Sequence, residues 1–195
     1  MVVVAEQRGD WVWDGGRPCL DLVNTVRDRW CGGRELLSGP AELAAWLRAV
    51  GLLDTANPTP AQVGAARRLR EAVDRAARAR AHGRAVAADD VRRINRVACW
   101  VHRAPPQLRA RPDGSVVRWS PPPADPVRAA LGALAADAVD LLVAEPFPRV
   151  AVCSSPRCGI RFLDASPAAN RRWCSMARCG NRSKARQHYA RSKDR

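Results

Sequence analysis

The sequence has little from which to build a catalytic centre. Its 195 residues include only three histidines, His82, His102 and His188, and these stand far apart in the chain. There is no glycine-rich phosphate loop, Ser-His-Asp set or carboxylate pair at a recognisable spacing, so an enzyme is not expected. No apolar run approaches the ~20 residues needed to span a bilayer. The opening MVVVAEQRGDWVW reaches charged residues too soon for a signal-peptide core. The chain is therefore expected to be a soluble, cytoplasmic protein without a membrane partner, its thiols kept reduced. In that setting the seven cysteines are metal ligands or buried hydrophobes, not disulfides.

Acidic residues are scarce in one place. Only two of the 19 acids, Asp164 and Asp194, but twelve of the 33 basic residues, fall in 146–195. The last quarter thus carries +10 of the formal +14, leaving +4 for residues 1–145. Such a gradient argues for an anionic partner, nucleic acid before membrane. The Ala- and Arg-heavy usage weakens any argument from the arginine count alone. Hydrophobic residues make up 47% of the chain, enough for a real core.

The apolar spacing predicts mainly helices before residue 146. Leu22, Val26 and Trp30 extend a helix that begins near Pro18, with proline in its first turn. Ser38 or Gly39 caps a second helix at Pro40, with Leu43, Trp46 and Leu47 on one face, and Gly51 stops or bends it. A long amphipathic helix over 60–81 carries Ala66, Leu69, Val73, Ala76 and Ala77 on its stripe, and His82-Gly83 closes it. Another spans 88–102, with Val91, Ile94 and Ala98 inward and Asp89 and Asp90 in its first turn. Alternating runs around Pro112-Asp113-Gly114 read as a β-hairpin. Asp125 caps a last helix holding Val127, Leu131, Leu134, Ala138 and Leu141. The domain boundary is placed near Pro146-Phe147-Pro148, giving domains 1–145 and 146–195. Five of the six tryptophans of the first domain, Trp11, Trp13, Trp30, Trp46 and Trp100, read as core and helix-contact residues, or as the lining of an effector pocket. Asp21 and Asn24, neighbours on one helical face, either cross-link the domain or line that pocket.

Four cysteines remain as a constellation: Cys153 and Cys158 in CSSPRC, then, fifteen residues on, Cys174 and Cys179 in CSMARC. Zn²⁺ prefers four thiolates in a tetrahedron, and two closely spaced pairs can chelate from two tight turns. RFLD and RRWCS read as short strands around ASPAAN. Cys179 falls in the first turn of a helix, where unpaired N–H groups and the dipole favour a thiolate. This gives a knuckle, a hairpin and a helix, close to a treble clef or zinc ribbon. With few apolar residues, the module leans on metal for stability, at about 10–16 kcal/mol of apparent binding energy for structural zinc. Four protein ligands leave no open position, so the site is structural. The alternative is four unrelated reduced cysteines. Cys19, Cys31 and Cys99 lack chelating spacing and read as buried small hydrophobes.

At 100° per residue Asn181, Ala185, Tyr189 and Ser192 share the seat of the last helix, with His188 at its edge. Arg182, Arg186 and Lys193 form one flank; Lys184, Gln187 and Arg191 form the other. Arg171 and Arg172 add charge from the preceding segment. The nucleic-acid contacts are expected among Arg171, Arg172, Arg182, Lys184, Arg186 and Gln187. On its own such a helix is also compatible with a solvated charged surface.

CSSPRCGIRFLDASPAANRRWCSMARCGNRSKARQHYARSK resembles the CGNR zinc finger, whose tetrapeptide stands here as Cys179-Gly180-Asn181-Arg182. RPCLDLVNTV resembles the opening of the ABATE domain that usually precedes that finger in bacterial proteins. The resemblance implies zinc on Cys153, Cys158, Cys174 and Cys179. It also implies a stress-induced transcription regulator with a DNA-binding finger. The N-terminal domain is expected to sense a small effector or make a homodimer. The fold class expected is α+β, a mainly helical domain with a small hairpin and a four-cysteine finger. Gly180 is expected to allow close approach to a sulfur or a strand, Asn181 to be structural, and Arg182 to reach a phosphate or pair with Asp164. An RNA- or ribosome-associated zinc protein and a zinc-clamped protein-interaction module remain as alternatives.

Overall fold

The computed structural model describes residues 11–55 and 57–186. It is α+β, as expected: the described residues form five α-helices, a protruding hairpin, a small cysteine-bearing hairpin module and a further helical stretch over 181–186. The expectations for Gln187, His188, Tyr189, Arg191, Ser192 and Lys193 lie outside the described residues.

Helix α3 (Pro60–Ala81) is the spine. Thr59 and Gln62 form a reciprocal capping box at its start, and Pro60 occupies the first turn, where its missing N–H costs nothing. Its buried stripe contains Val63, Ala66, Leu69, Val73, Ala76 and Ala77, and it packs against α1 (Pro18–Val23), α4 (Ala88–Ala98), α5 (Pro126–Val143) and α2 (Pro40–Ala49). Asp125 caps α5 through the Arg128 amide, and Val127, Leu131, Leu134, Ala138 and Leu141 all enter the core. Trp46 of α2 is buried and stacks on Trp13, while α2 itself starts from Gly39.

Two helix expectations and one about cysteine burial are corrected. α1 ends at Val23, not near Trp30: Thr25 bonds back to the Leu22 carbonyl through both its amide and its hydroxyl, and Asp28 takes a left-handed conformation that turns the chain. Val26–Arg27 (β1) instead pairs with Arg34–Glu35 (β2), and Trp30 is exposed. α4 stops at Ala98 and buries Asp90, Ile94 and Val97, leaving Val91 in solvent, because Asp90 is drawn inward by Arg75. Of the three non-chelating cysteines, only Cys19 is buried; Cys31 and Cys99 are exposed, because one sits in the turn after β1 and the other at the end of α4.

The hairpin around Pro112-Asp113-Gly114 is present as Gln107–Ala110 (β3) and Val116–Trp119 (β4). Residues 144–149 lead from α5 to a second hairpin, Val150–Val152 (β5) and Arg161–Leu163 (β6), which packs on α3 and α1. Among the described residues no helix is long and apolar enough to cross a membrane.

The four-cysteine metal centre

The first cysteine pair sits at the tip of the β5–β6 hairpin. The Cys153 amide bonds to the Ile160 carbonyl at 2.9 Å, which prolongs the strand ladder. The Cys158 amide then closes on Ser155 at 3.1 Å, and Gly159 takes φ +75°, a left-handed corner that favours glycine. The expected hairpin of RFLD with RRWCS is not formed. RFLD pairs backwards with β5, whereas residues 171–174 hold to the first turn through one backbone–backbone bond, Ser154 amide to Arg172 carbonyl, 2.8 Å, besides the cysteine sulfurs.

The second pair frames a wide helical turn. Ser175 accepts from the amides of Cys179 and Gly180 at 3.0 and 3.1 Å through its carbonyl, and its hydroxyl accepts from Arg178. Met176–Gly180 is thereby a π-turn that runs into α-helical residues 181–186. Cys179 does lie in the first turn of a helix, as expected. The extra residue of the π-turn rotates the helix relative to a straight projection. Asn181 and Ala185, expected in the seat, are exposed, and Ser183 is the half-buried residue. Gly180 is buried, but a side chain there would meet the Met176 thioether at 2.7 Å, not a cysteine sulfur or a strand.

All four cysteines are buried, and their Sγ atoms lie within 4.8 Å of one another. Cys158 and Cys174 are 3.7 Å apart, Cys174 and Cys179 3.9 Å. A tetrahedron with Zn–S bonds of ~2.3 Å has edges of roughly 3.8 Å, so the donor set fits zinc in both chemistry and size. Crowding the sulfurs together makes them share protons. Hydrogen bonds from Cys158 and Cys174 hold Cys153 down to about 2, and the same bond to Cys153 pushes Cys158 up to about 12. Cys174 is pushed further up, first by its bonds to Cys153 and Cys158 and then by burial.

Several supporting residues were not legible in the motif. Val12, 4% exposed, belongs to the same apolar cluster as the four cysteines, Ile160 and Phe162. Asp14 pairs with Arg178 inside the second cysteine loop, and the Leu163 amide donates to the Gly15 carbonyl at 2.8 Å. Asn24 faces β6 like a short piece of strand: its amide donates to the Arg161 carbonyl and its oxygen accepts from the Arg161 amide, both at 2.9 Å. This is a cross-link between the helical body and the cysteine module, not a pocket wall. Asp21, its helical neighbour, accepts from the Gly15 amide at 2.8 Å.

The predicted cationic residues divide. Arg171 turns inward, because its guanidinium finds the carbonyls of Trp173 and Cys174 and lies over the Phe162 ring at 4.6 Å. It holds the second cysteine loop and is removed from the outward set. Arg172, Arg182, Lys184 and Arg186 are exposed, and so is Arg157 between Cys153 and Cys158, which the sequence reading passed over. Asp164 does not meet Arg182: it is buried among Arg149, Ser166 and the Arg171 amide.

A cysteine hairpin closed by a helical turn, with four converging thiols and a helical body beneath, defines a zinc-finger protein. Residues 149–192 match the CGNR zinc finger. Residues 16–145 match ABATE, described as "Putative stress-induced transcription regulator", and the chain belongs to that family. No curated protein matches the chain.

Proposed function

We propose that the protein is a transcription regulator that binds duplex DNA through its zinc finger. The observation that supports this most is the charge left outside once the finger is folded. Arg157, Arg172, Arg182, Lys184 and Arg186 are exposed, while Asp164, the acid of this module among the described residues, is buried and already bonded. Each cation would neutralise a phosphate, and the exposed Asn181 would join them as a hydrogen-bonding group for a base edge. The zinc is structural: it fixes the two turns from which these side chains project. Gln187, expected among the contacts, lies outside the described residues.

The reading is of a binding protein, not an enzyme, that would work in the cytoplasm at the nucleoid. The helical domain would sense a small molecule or join two copies. Duplex DNA is favoured over unpaired RNA because, among the described residues, the finger has little exposed aromatic surface for stacking, Trp173 being half-buried beside Arg172. Fluorescence anisotropy with a labelled duplex across a salt series tests this. Affinity should fall steeply with salt, and Arg182→Ala/Arg186→Ala should flatten the log–log slope by about 2. Equal affinity for a single-stranded RNA competitor would overturn it.

A further inference from the structure

The β3–β4 hairpin buries almost nothing. All of β3 is exposed, β4 only alternates, and Leu108 and Val116 stand 77% and 62% in solvent. A lone two-stranded hairpin is marginal in water, yet this one is braced by local means. Asp113 accepts from both the amide and the hydroxyl of Ser115 across the turn, and Arg109 lies 4.1 Å over the Trp119 ring. His102 meets the Pro121 carbonyl at 2.8 Å across its base, beside the runs Pro105-Pro106 and Pro121-Pro122-Pro123. The result is a stiffened arm that contributes little to the core.

Its chemistry points to a polyanion. Residues 103–119 carry Arg103, Arg109, Arg111 and Arg118 against Asp113 alone, and that carboxylate is occupied by Ser115. By register Leu108 faces Arg118 and Ala110 faces Val116, so one side of the ribbon sets an arginine among three apolar side chains. We propose that this hairpin is a second contact with duplex DNA, reaching phosphates with Arg111 and Arg118 and touching base methyls with Leu108 and Val116. The inference rests on the finger reading for its choice of duplex DNA. A major groove about 12 Å wide admits a two-stranded ribbon, and apolar side chains contact the thymine methyl there. A second copy of the chain is the less favoured occupant. Pairing two such arms would set arginine against arginine, and like charges opposite one another destabilise a ladder.

The experiment uses the full zinc-loaded chain and a duplex of about 20 base pairs over about 50–200 mM salt. Arg111→Ala/Arg118→Ala should weaken binding about tenfold or more and flatten the salt slope by about 2. Far-UV circular dichroism and zinc content should not change, since both side chains are exposed. The finger variant Arg182→Ala/Arg186→Ala runs beside it. If the hairpin variant binds as the parent does while the finger variant weakens, the hairpin proposal is overturned and the finger reading stands. If only the hairpin variant weakens, the hairpin proposal stands and the finger reading falls. If the parent chain binds no duplex, both fall. Leu108→Ser/Val116→Ser is weighed by analytical ultracentrifugation as well. Loss of a dimer with unchanged DNA affinity would assign this face to a second copy and overturn the proposal.

Discussion

Asp74 on α3 and Arg161 on β6 form a buried, two-pronged ion pair, Nε to Oδ1 at 2.7 Å and Nη2 to Oδ2 at 3.0 Å. Both residues are nearly solvent-free, at 5% and 7% exposure. Arg161 also donates to the Gly159 carbonyl at 2.5 Å, so one guanidinium ties the first cysteine turn to the middle of the longest helix. Position and metal geometry are therefore linked through the helical body.

The two partners should not be equivalent on mutation. Asp74 has a second cation, Arg29, at 3.8 Å, whereas Asp74 is the carboxylate paired with Arg161. Asp74→Ala strands a buried guanidinium and should cost about 3–5 kcal/mol. Arg161→Met leaves Asp74 facing Arg29 and should cost clearly less. The double change to a well-packed apolar pair should recover most of the loss, since desolvating an ion pair offsets much of its attraction. Urea unfolding of the zinc-loaded chain measures all three. Equal costs for the two single changes would contradict the asymmetry.

Asp21 should make stability fall between mildly acidic and neutral pH. Burial, opposed by the Gly15 amide and reinforced by Asp137, raises its carboxyl from 3.8 to about 6. The folded state thus binds the proton more tightly than the unfolded chain does. Raising pH from about 4 to 6 then removes stability, on the order of 2 kcal/mol. Asp21→Asn keeps an acceptor for Gly15 and carries no charge. It should be more stable than the parent at pH 7, with the difference vanishing near pH 4. Denaturant midpoints at the two pH values decide it; a gap that persists at pH 4 would point to another cause.

Zinc uptake should release protons and weaken on acidification. Cys158 is raised to about 12 and Cys174 further, so both thiols hold protons at neutral pH before metal enters, and zinc requires thiolates. Calorimetry in two buffers of different ionisation enthalpy should report at least two protons released per zinc. Chelation should unmake the finger and change the emission of Trp173, while the far-UV signal of α1–α5 is largely retained. A proton count near zero would mean that the thiols are already ionised.

Much of this molecule was open to sequence reasoning because its signals are local. Thr59-Pro60, Asp125-Pro126 and Pro112-Asp113-Gly114 specify caps and a turn through neighbouring residues alone. The cysteine spacing defines its own site for the same reason. What escaped was non-local or depended on phase. The strand partner of RFLD was misassigned because three-residue strands carry too little alternation to choose between neighbours. The outward turn of Asn181 escaped because the absence of Lys and Arg from its face was the signal for a seat, whereas the half-buried residue there is Ser183. Asn24 was singled out but without its partner, and Asp74 and Arg161 read as ordinary helix and strand residues, until the fold brings them together across 137 and 87 positions.

The residues before the ABATE match should govern the finger at the other end of the chain. Val12 is packed among Cys153, Cys158, Cys174, Cys179, Ile160 and Phe162, Asp14 pairs with Arg178, and Gly15 takes the Leu163 amide. A module this small has few apolar groups, so each one counts for more than it would in the helical core. Val12→Ala should cost about 1–3 kcal/mol, most of it from the cavity left against Phe162. Val12→Asp adds an unpaired charge beside the thiolates and should lower zinc affinity by at least about tenfold, because that charge must stay buried when metal binds. A chain that begins at Gly16 loses all three contacts and should show both effects, and because it also strips Trp13 from Trp46 and the Gly15 amide from Asp21 its helices should melt below the parent temperature as well. Zinc competition with a chromophoric chelator and thermal melts separate the two readouts. If the shortened chain held zinc as tightly as the full one, the finger would be self-sufficient and the strap merely accessory.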